Sequence, residues 1–290
     1  MSNQLNHTVM LSELLDGVNL PLTLNEDVQI TSIADSANGR PNSLCDYIKG
    51  ELPTNHEGLV LLVKEEVSGY NCVVVKNPQV IIVDIINYIK ANVGFKMKYH
   101  SSKIPLTVKI GLNVVIEDNV EIGENTIIEH NAVIHSGTKI GKNCLVRTHA
   151  SIGGDGYGFI KNAEGELIKQ PHLGGVELAD NVEIGANTCV VRGIVNDTYI
   201  GKNVKVDNLV HIAHDCFIDE DAYIIACSEL SGYVRVGKRS RIAPKACVKQ
   251  RVIIGDDVVV GMGAVVLKDV LNGSVVIGNP AKPLRQFKSN

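Results

Sequence analysis

The sequence predicts a mainly β protein. A parallel β-helix of hexapeptide repeats over residues 104–276 follows a small α/β domain over 1–100, and a short tail over 277–290 ends the chain. Three observations lead there. An aliphatic residue recurs at every sixth position through most of the chain; the position four further on is small or β-branched; and Gly, Asp and Asn crowd the positions between, as in Ile122-Gly-Glu-Asn-Thr. A six-residue period does not match an α-helix, and it is too long for simple strand alternation. It suits a short strand and a tight turn, repeated, with three units returning the chain to the same face. Residues eighteen apart then stack about 4.8 Å apart on neighbouring coils.

Taken in order, Leu5–Leu15 is expected as a short helix, Gly58–Val63 and Cys72–Val75 as buried strands, and Pro78–Ala91 as a helix with Ile82, Ile85, Ile86 and Ile89 on one side. Asn92–Ser102 links this domain to the column. The hexads run from Ile104 through Ile110, Ile116 and onward to Ile152, resume at Leu178, Ile184 and Val190, and after a ten-residue step continue from Ile200 to Val266. None of these positions is polar. The break at Gly153–Gly175 is expected as a loop on the outside of the column, where solenoids carry insertions and often their binding surfaces. The prolines of IGNPAKPLRQFKSN stop the coil and leave little room for a helical extension.

Composition agrees with repetitive β-structure: Val and Ile abound, Trp is absent and only four Phe and eight Tyr occur. A net charge of −4 offers no global attraction for nucleic acid or anionic lipid. The seven cysteines form no C-x-x-C pair, which argues against zinc or a disulfide framework and for a reducing cytoplasm. No signal peptide is expected at MSNQLNHTVM, and no apolar run is long enough for an integral membrane segment.

The stretch that carries chemistry is Val206–Asp215, VDNLVHIAHD. His214 lies two residues past the interior Ile212, so it belongs on an outer edge. Imidazole is the side chain best matched to taking a proton near neutral pH, and an amine attacking a thioester must lose one. Eighteen residues on is Gly232, whose N–H suits an oxyanion donor as well as an ordinary turn. Another eighteen gives Gln250, beside Arg251, which fits either a donor phosphate or plain solvation. His130 and His135 are spaced as in carbonic-anhydrase-like relatives on the same kind of column. The third histidine such a site needs is missing, position 94 being Gly and 166 Glu, so no metal is expected. His149 and His172 are placed beside the inserted segment.

Over roughly residues 104–282 the chain resembles the left-handed β-helix acyltransferases, and more specifically the UDP-3-O-(3-hydroxyacyl)glucosamine N-acyltransferase family of lipid A synthesis. VDNLVHIAHD, GGDGYGFI (153–160), PHLGGVELADNVEIGANT (171–188) and VRGIVNDTYIG (191–201) carry the likeness in order. VVKNPQV in the N-terminal domain resembles that family's sugar-nucleotide-binding domain more loosely. The resemblance implies a left-handed coil, a homotrimer with sites between columns, His214 as catalytic base and Gly232 as oxyanion glycine. It further implies that Asp207, Asn208, His211, Asp155 and Tyr157 bind substrate. NSLCDYIKGE does not reproduce the family's aromatic and Asn pattern for uracil, so Tyr47 is the residue left to stack a base, and the coil spacing alone offers Gln250 and Arg251 to the acyl donor. No permanently bound cofactor is implied; acyl-ACP or acyl-CoA serves as co-substrate and a nucleotide-activated amino sugar as acceptor. His211 stands where the family usually has Gln, Asp215 where it has Asn, Val191 where it has Asp, and Arg251 where a second histidine is usual. Two other readings accompany this one: an acyl-CoA-dependent enzyme making an amino sugar for surface polysaccharide, and a non-catalytic β-helix scaffold.

Overall fold

The computed structural model describes residues 3–20, 27–34, 39–47, 52, 57–96, 101–162 and 164–286. The chain divides into two compact units, Met1–Met97 with Tyr157–Leu173, and Lys98–Gly156 with Gly174–Asn290. The expected link Asn92–Ser102 lies partly outside the described residues. Among the described residues no helix is long and apolar enough to cross a membrane.

The first unit is a five-stranded sheet in the order β1 (Gln4–Met10), β2 (Gln29–Ile33), β3 (Ser43–Asp46), β4 (Val60–Val63) and β5 (Asn71–Val74). Only the β1–β2 pair is antiparallel. β4 is VLLV and buried throughout, as a strand covered on both faces must be. α2 (Pro78–Asn92) begins with Pro at its first position, where the missing N–H costs nothing, and buries Ile82, Val83, Ile85, Ile86 and Ile89. The helix expected over Leu5–Leu15 is a correction: Leu5 belongs to β1, and α1 covers Leu11–Gly17. A register shift between Gln4 and Val9 breaks strand alternation, so the buried residues are Leu5 and Val9, four apart. That spacing imitates a helical face. The segment expected as an external loop is instead a β-hairpin, Phe159–Lys161 antiparallel to Leu167–Lys169, whose first strand lies against α2.

The second unit is a three-sided column. Two- to four-residue strands alternate among three parallel sheets, and partners eighteen apart are in register: Lys205, Tyr223, Arg241 and Val259 line up on one face. Inside them Val206, Ile224, Ile242 and Val260 stack in one continuous core. The small corner positions are buried as well, and at three of the polar ones the hydroxyl is bonded twice. Thr126, Thr188 and Ser240 donate to Gly141 O, Asp207 O and Gly255 O at 2.7–2.8 Å, and accept from Cys144, Val210 and Val258 N–H at 2.9–3.1 Å. Buried hydroxyls are tolerated on those terms. The column ends in an antiparallel hairpin, Ser274–Gly278 with Ala281–Gln286.

Each corner turns through a left-handed residue three positions past the interior aliphatic. Asn fills it at 113, 119, 125, 131, 143, 181, 187 and 203, with φ between 55° and 61°. Asn tolerates this region better than any other non-glycine residue, which explains the Asn-rich beat of the sequence. On the edge that carries His214 the same position holds Asp215, Tyr233 and Arg251, at φ 56°, 62° and 64°.

Thiol chemistry reads out this packing. Burial pushes the Cys216 thiol up to about 12 and raises Cys144 as well, whereas Cys189, Cys227 and Cys247 are exposed. In the native protein a disulfide reagent is expected to modify those three quickly and to reach Cys45, Cys144 and Cys216 only after denaturation. Peptide mapping of the labelled protein checks the result, and fast native labelling of Cys216 would contradict the core assignment.

Candidate active site

Strand His211–Ile212 pairs with Glu229–Leu230, which places residue 214 directly under 232 on one edge of the column. The His214 side chain is 13% exposed, and its Nδ1 meets Asp215 Oδ2 at 3.0 Å. Asp215 Oδ2 also accepts the Ile194 N–H at 2.8 Å, and the Asp215 N–H donates to Thr198 Oγ1 at 3.0 Å. A carboxylate fixed in this way holds imidazole with Nδ1 protonated, which leaves Nε2 as the ring's proton-accepting nitrogen. A Cβ built on Gly232 would fall 2.5 Å from that Nε2 and 2.4 Å from Cε1. Only glycine lets the backbone come this close. The neighbouring donors Ser231 and Tyr233 bond to Val248 O and His214 O, while the Gly232 N–H has no acceptor among the described residues. The edge therefore joins a proton acceptor to the backbone donor of a buried glycine, unused by any acceptor among the described residues.

The next coil continues the column. The Tyr233 ring meets His214 edge-on at 5.1 Å, and the Arg251 guanidinium lies 4.1 Å over the Tyr233 ring, with Arg251 N–H donating to Gly232 O. Arg251 thus has a built position, stacked on an aromatic face. Gln250 is exposed beside it.

Other expected site residues lie elsewhere. Asp207 and Asn208 occupy the neighbouring edge, one strand back, and their side chains cap corners: Asp207 accepts from Asn208 and Ala226 N–H, and Asn208 Oδ1 from Ala186 N–H at 2.7 Å. A single chain does not bring them to His214. His211 is exposed on the flat face between the two edges, in register with Cys189 and Glu229. Asp155 is on the His214 edge, 3.9 Å from Arg192, whose buried guanidinium also donates to Ser136 O. Tyr157 belongs to the inserted hairpin segment, largely exposed, with its ring 5.1 Å from Phe159. Tyr47 lines a cavity of about 400 Å³ in the first unit, together with Lys64, Glu65, Asn77 and Pro78. His130 Nδ1 accepts the Leu112 N–H at 2.7 Å, and His149 Nε2 lies 3.5 Å from Asn131 Nδ2. His172 is buried in the first unit, with Nδ1 3.1 Å from Gln170 O.

Sequence reasoning treated Asp215 only as a departure from the family and passed over Thr198 and Tyr233. The signal for Asp215 was its adjacency to His214 at a corner position that elsewhere prefers Asn. Replacing Asp215 with alanine is expected to lower turnover about 100-fold with little change in KM, because it removes the group that sets the imidazole's tautomer and angle. Asp215→Asn should recover part of the loss if the amide oxygen keeps the Nδ1 bond. Steady-state kinetics of both variants tests this; a KM effect alone would refute the orienting role.

Comparison with known proteins gives the class first. The bacterial transferase hexapeptide family (six repeats) matches residues 119–154. LpxA of Acinetobacter baumannii superposes with TM-score 0.56 at 24% identity, covering 63% of this chain and 69% of that one, and UDP-N-acetylglucosamine acyltransferase of Francisella novicida gives 0.54 at 26%, covering 63% and 68%. The column is a left-handed β-helix of that transferase type. A UDP-3-O-acylglucosamine N-acyltransferase of Helicobacter pylori (strain HPAG1) is 35% identical over 260 residues, 79% of this chain and 76% of that protein. One of the same name from Caulobacter sp. (strain K31) is 40% identical over 138 residues, 48% of this chain, and the match spans only 40% of that relative's length. The chain belongs to the UDP-3-O-acylglucosamine N-acyltransferase family.

Proposed function

We propose that this protein transfers an acyl group from a carrier thioester to the amine of a nucleotide-activated amino sugar, UDP-3-O-acylglucosamine being the acceptor its family names. The observation that carries the reading is His214, held by Asp215 with Nε2 against the bare backbone of Gly232. His214 takes the proton the amine sheds on attack, and the Gly232 N–H steadies the tetrahedral oxyanion. Arg251, on its aromatic platform, and Gln250 meet the donor, and the Tyr47 cavity takes the nucleobase.

An edge of a three-sided column is convex, so a groove for acyl donor and sugar needs a second wall. A homotrimer supplies one from a neighbouring column, and with it the Asp207/Asn208 edge and His211, to face the edge that already carries His214 and Asp155. The free thiols suit a reducing cytoplasm.

The experiment is acyl transfer to UDP-3-O-acylglucosamine, followed by thiol release and product mass, with acyl-ACP and short-chain acyl-CoA compared as donors. N-acylated product with acyl-ACP is the expected result. Transfer from acyl-CoA alone would instead favour an enzyme for surface polysaccharide. No product with either, together with no thermal-shift response to nucleotide sugars or thioesters, would favour a scaffold.

A further inference from the structure

A second group of reactive side chains lies lower on the column and is not used by the chemistry proposed above. Val115, Val133 and Ser151 are in register on three successive coils. Glu117 and His135 follow the first two of these strands, eighteen residues apart, and stack at the same edge. His135 Nδ1 lies 3.1 Å from Glu117 Oε1, and His135 Nε2 lies 3.4 Å from Ser151 Oγ. The carboxylate is itself oriented, since Glu117 Oε2 accepts the Ser136 N–H at 2.8 Å. That N–H, and after it His135 and Arg192, hold the Glu117 carboxyl below the usual carboxylate range against the opposing effect of partial burial. Gly154 faces the other side: a Cβ there would lie 3.3 Å from His135 Nε2 and 3.6 Å from Ser151 Oγ, so its absence keeps the approach to both atoms open. The His135 side chain is 29% exposed. Hydroxyl, imidazole and oriented carboxylate in this order are the arrangement that activates a serine nucleophile, whatever fold carries it.

We propose that Ser151, His135 and Glu117 form a second reaction centre that hydrolyses activated acyl esters, acyl thioesters among them. Ser151 Oγ attacks the acyl carbon while its proton passes to His135 Nε2. The C–S or C–O bond breaks, and the leaving thiol or alcohol takes that proton. Water then attacks the acyl-serine, giving up a proton to His135 and releasing the carboxylic acid and Ser151. Glu117 is a positioning residue, holding Nδ1–H. The site works without an amino sugar and without His214, so it stands or falls separately from the transfer reaction.

Its test is labelling of the full-length protein with a fluorophosphonate, mapped by peptide mass, beside hydrolysis of p-nitrophenyl butyrate. The label is expected on Ser151. Ser151→Ala should abolish labelling and lower hydrolysis at least about 100-fold, and Glu117→Gln should lower kcat while KM and the melting temperature hold. Absence of label at Ser151, or hydrolysis by Ser151→Ala within about twofold of the unaltered protein, overturns the proposal. Because labelling is read on the unaltered chain, a variant that fails to fold does not obscure the answer.

Discussion

His214→Ala is expected to fold as the unaltered protein does and to turn over at least about 100-fold more slowly. The two halves of this expectation have separate grounds. The imidazole sits on an edge, outside the stacked aliphatic core that runs from Val120 to Val276, so deleting it opens no cavity among Ile212, Leu230 and their neighbours. What it removes is a ring that pairs a fixed carboxylate at Nδ1 with the Gly232 backbone beside Nε2. A general base contributes roughly 10²–10⁴-fold, and the lower bound corresponds to about 2.7 kcal/mol of barrier. Matched circular dichroism and melting curves establish the fold, and single-turnover kinetics measures the chemical step. A variant with near-normal turnover would remove His214 from the mechanism.

Gly232→Ala should have an effect of similar size by a different route. The glycine's own φ is not left-handed, so alanine brings no backbone strain. The new methyl, however, would overlap the His214 ring at Cε1, Nε2 and Nδ1. The ring is the far end of a side chain on an edge, and it can swing outward. Folding is then nearly unaffected while Nε2 leaves the reaction line, and a misplacement of about 1 Å costs on the order of 100-fold. The expected signature is a melting temperature within a few degrees of normal, kcat down about 100-fold, and a crystal structure with the imidazole rotated away from Asp215. If turnover survives with the ring displaced, the line between Nε2 and the Gly232 N–H is not where reaction occurs.

How far the sequence led differs between fold and site for one reason: periodicity reports register, not direction. The six-residue beat placed Ile212 inside, His214 on an edge and Gly232 one coil above, and the strand pairing agrees. It was equally sound for α2, whose buried isoleucines follow a helical period. It failed at β1, where a shift in register makes a strand bury residues four apart, and at the Tyr157–Leu173 hairpin, since the beat marks where coiling stops but not where an excursion packs. It was also silent on side-chain commitments. Asp207 and Asn208 read as substrate ligands by family motif, yet each is engaged with corner N–H groups. The Glu117–His135–Ser151 line is drawn from three coils at once and shows no contiguous motif.

The corner residues with φ near 60° carry one more implication. Because every coil bonds only to the coils above and below, the column behaves as a stack of near-equivalent layers whose strength is a sum over nearest neighbours. Asp215, Tyr233 and Arg251 hold adjacent layers in a conformation that Asn or Gly would adopt more cheaply. Amide exchange along the column should therefore dip locally around these three rungs, a soft zone within a stiff rod, and substituting Asn at 233 should firm that zone while undoing the ring contacts that give the edge its shape.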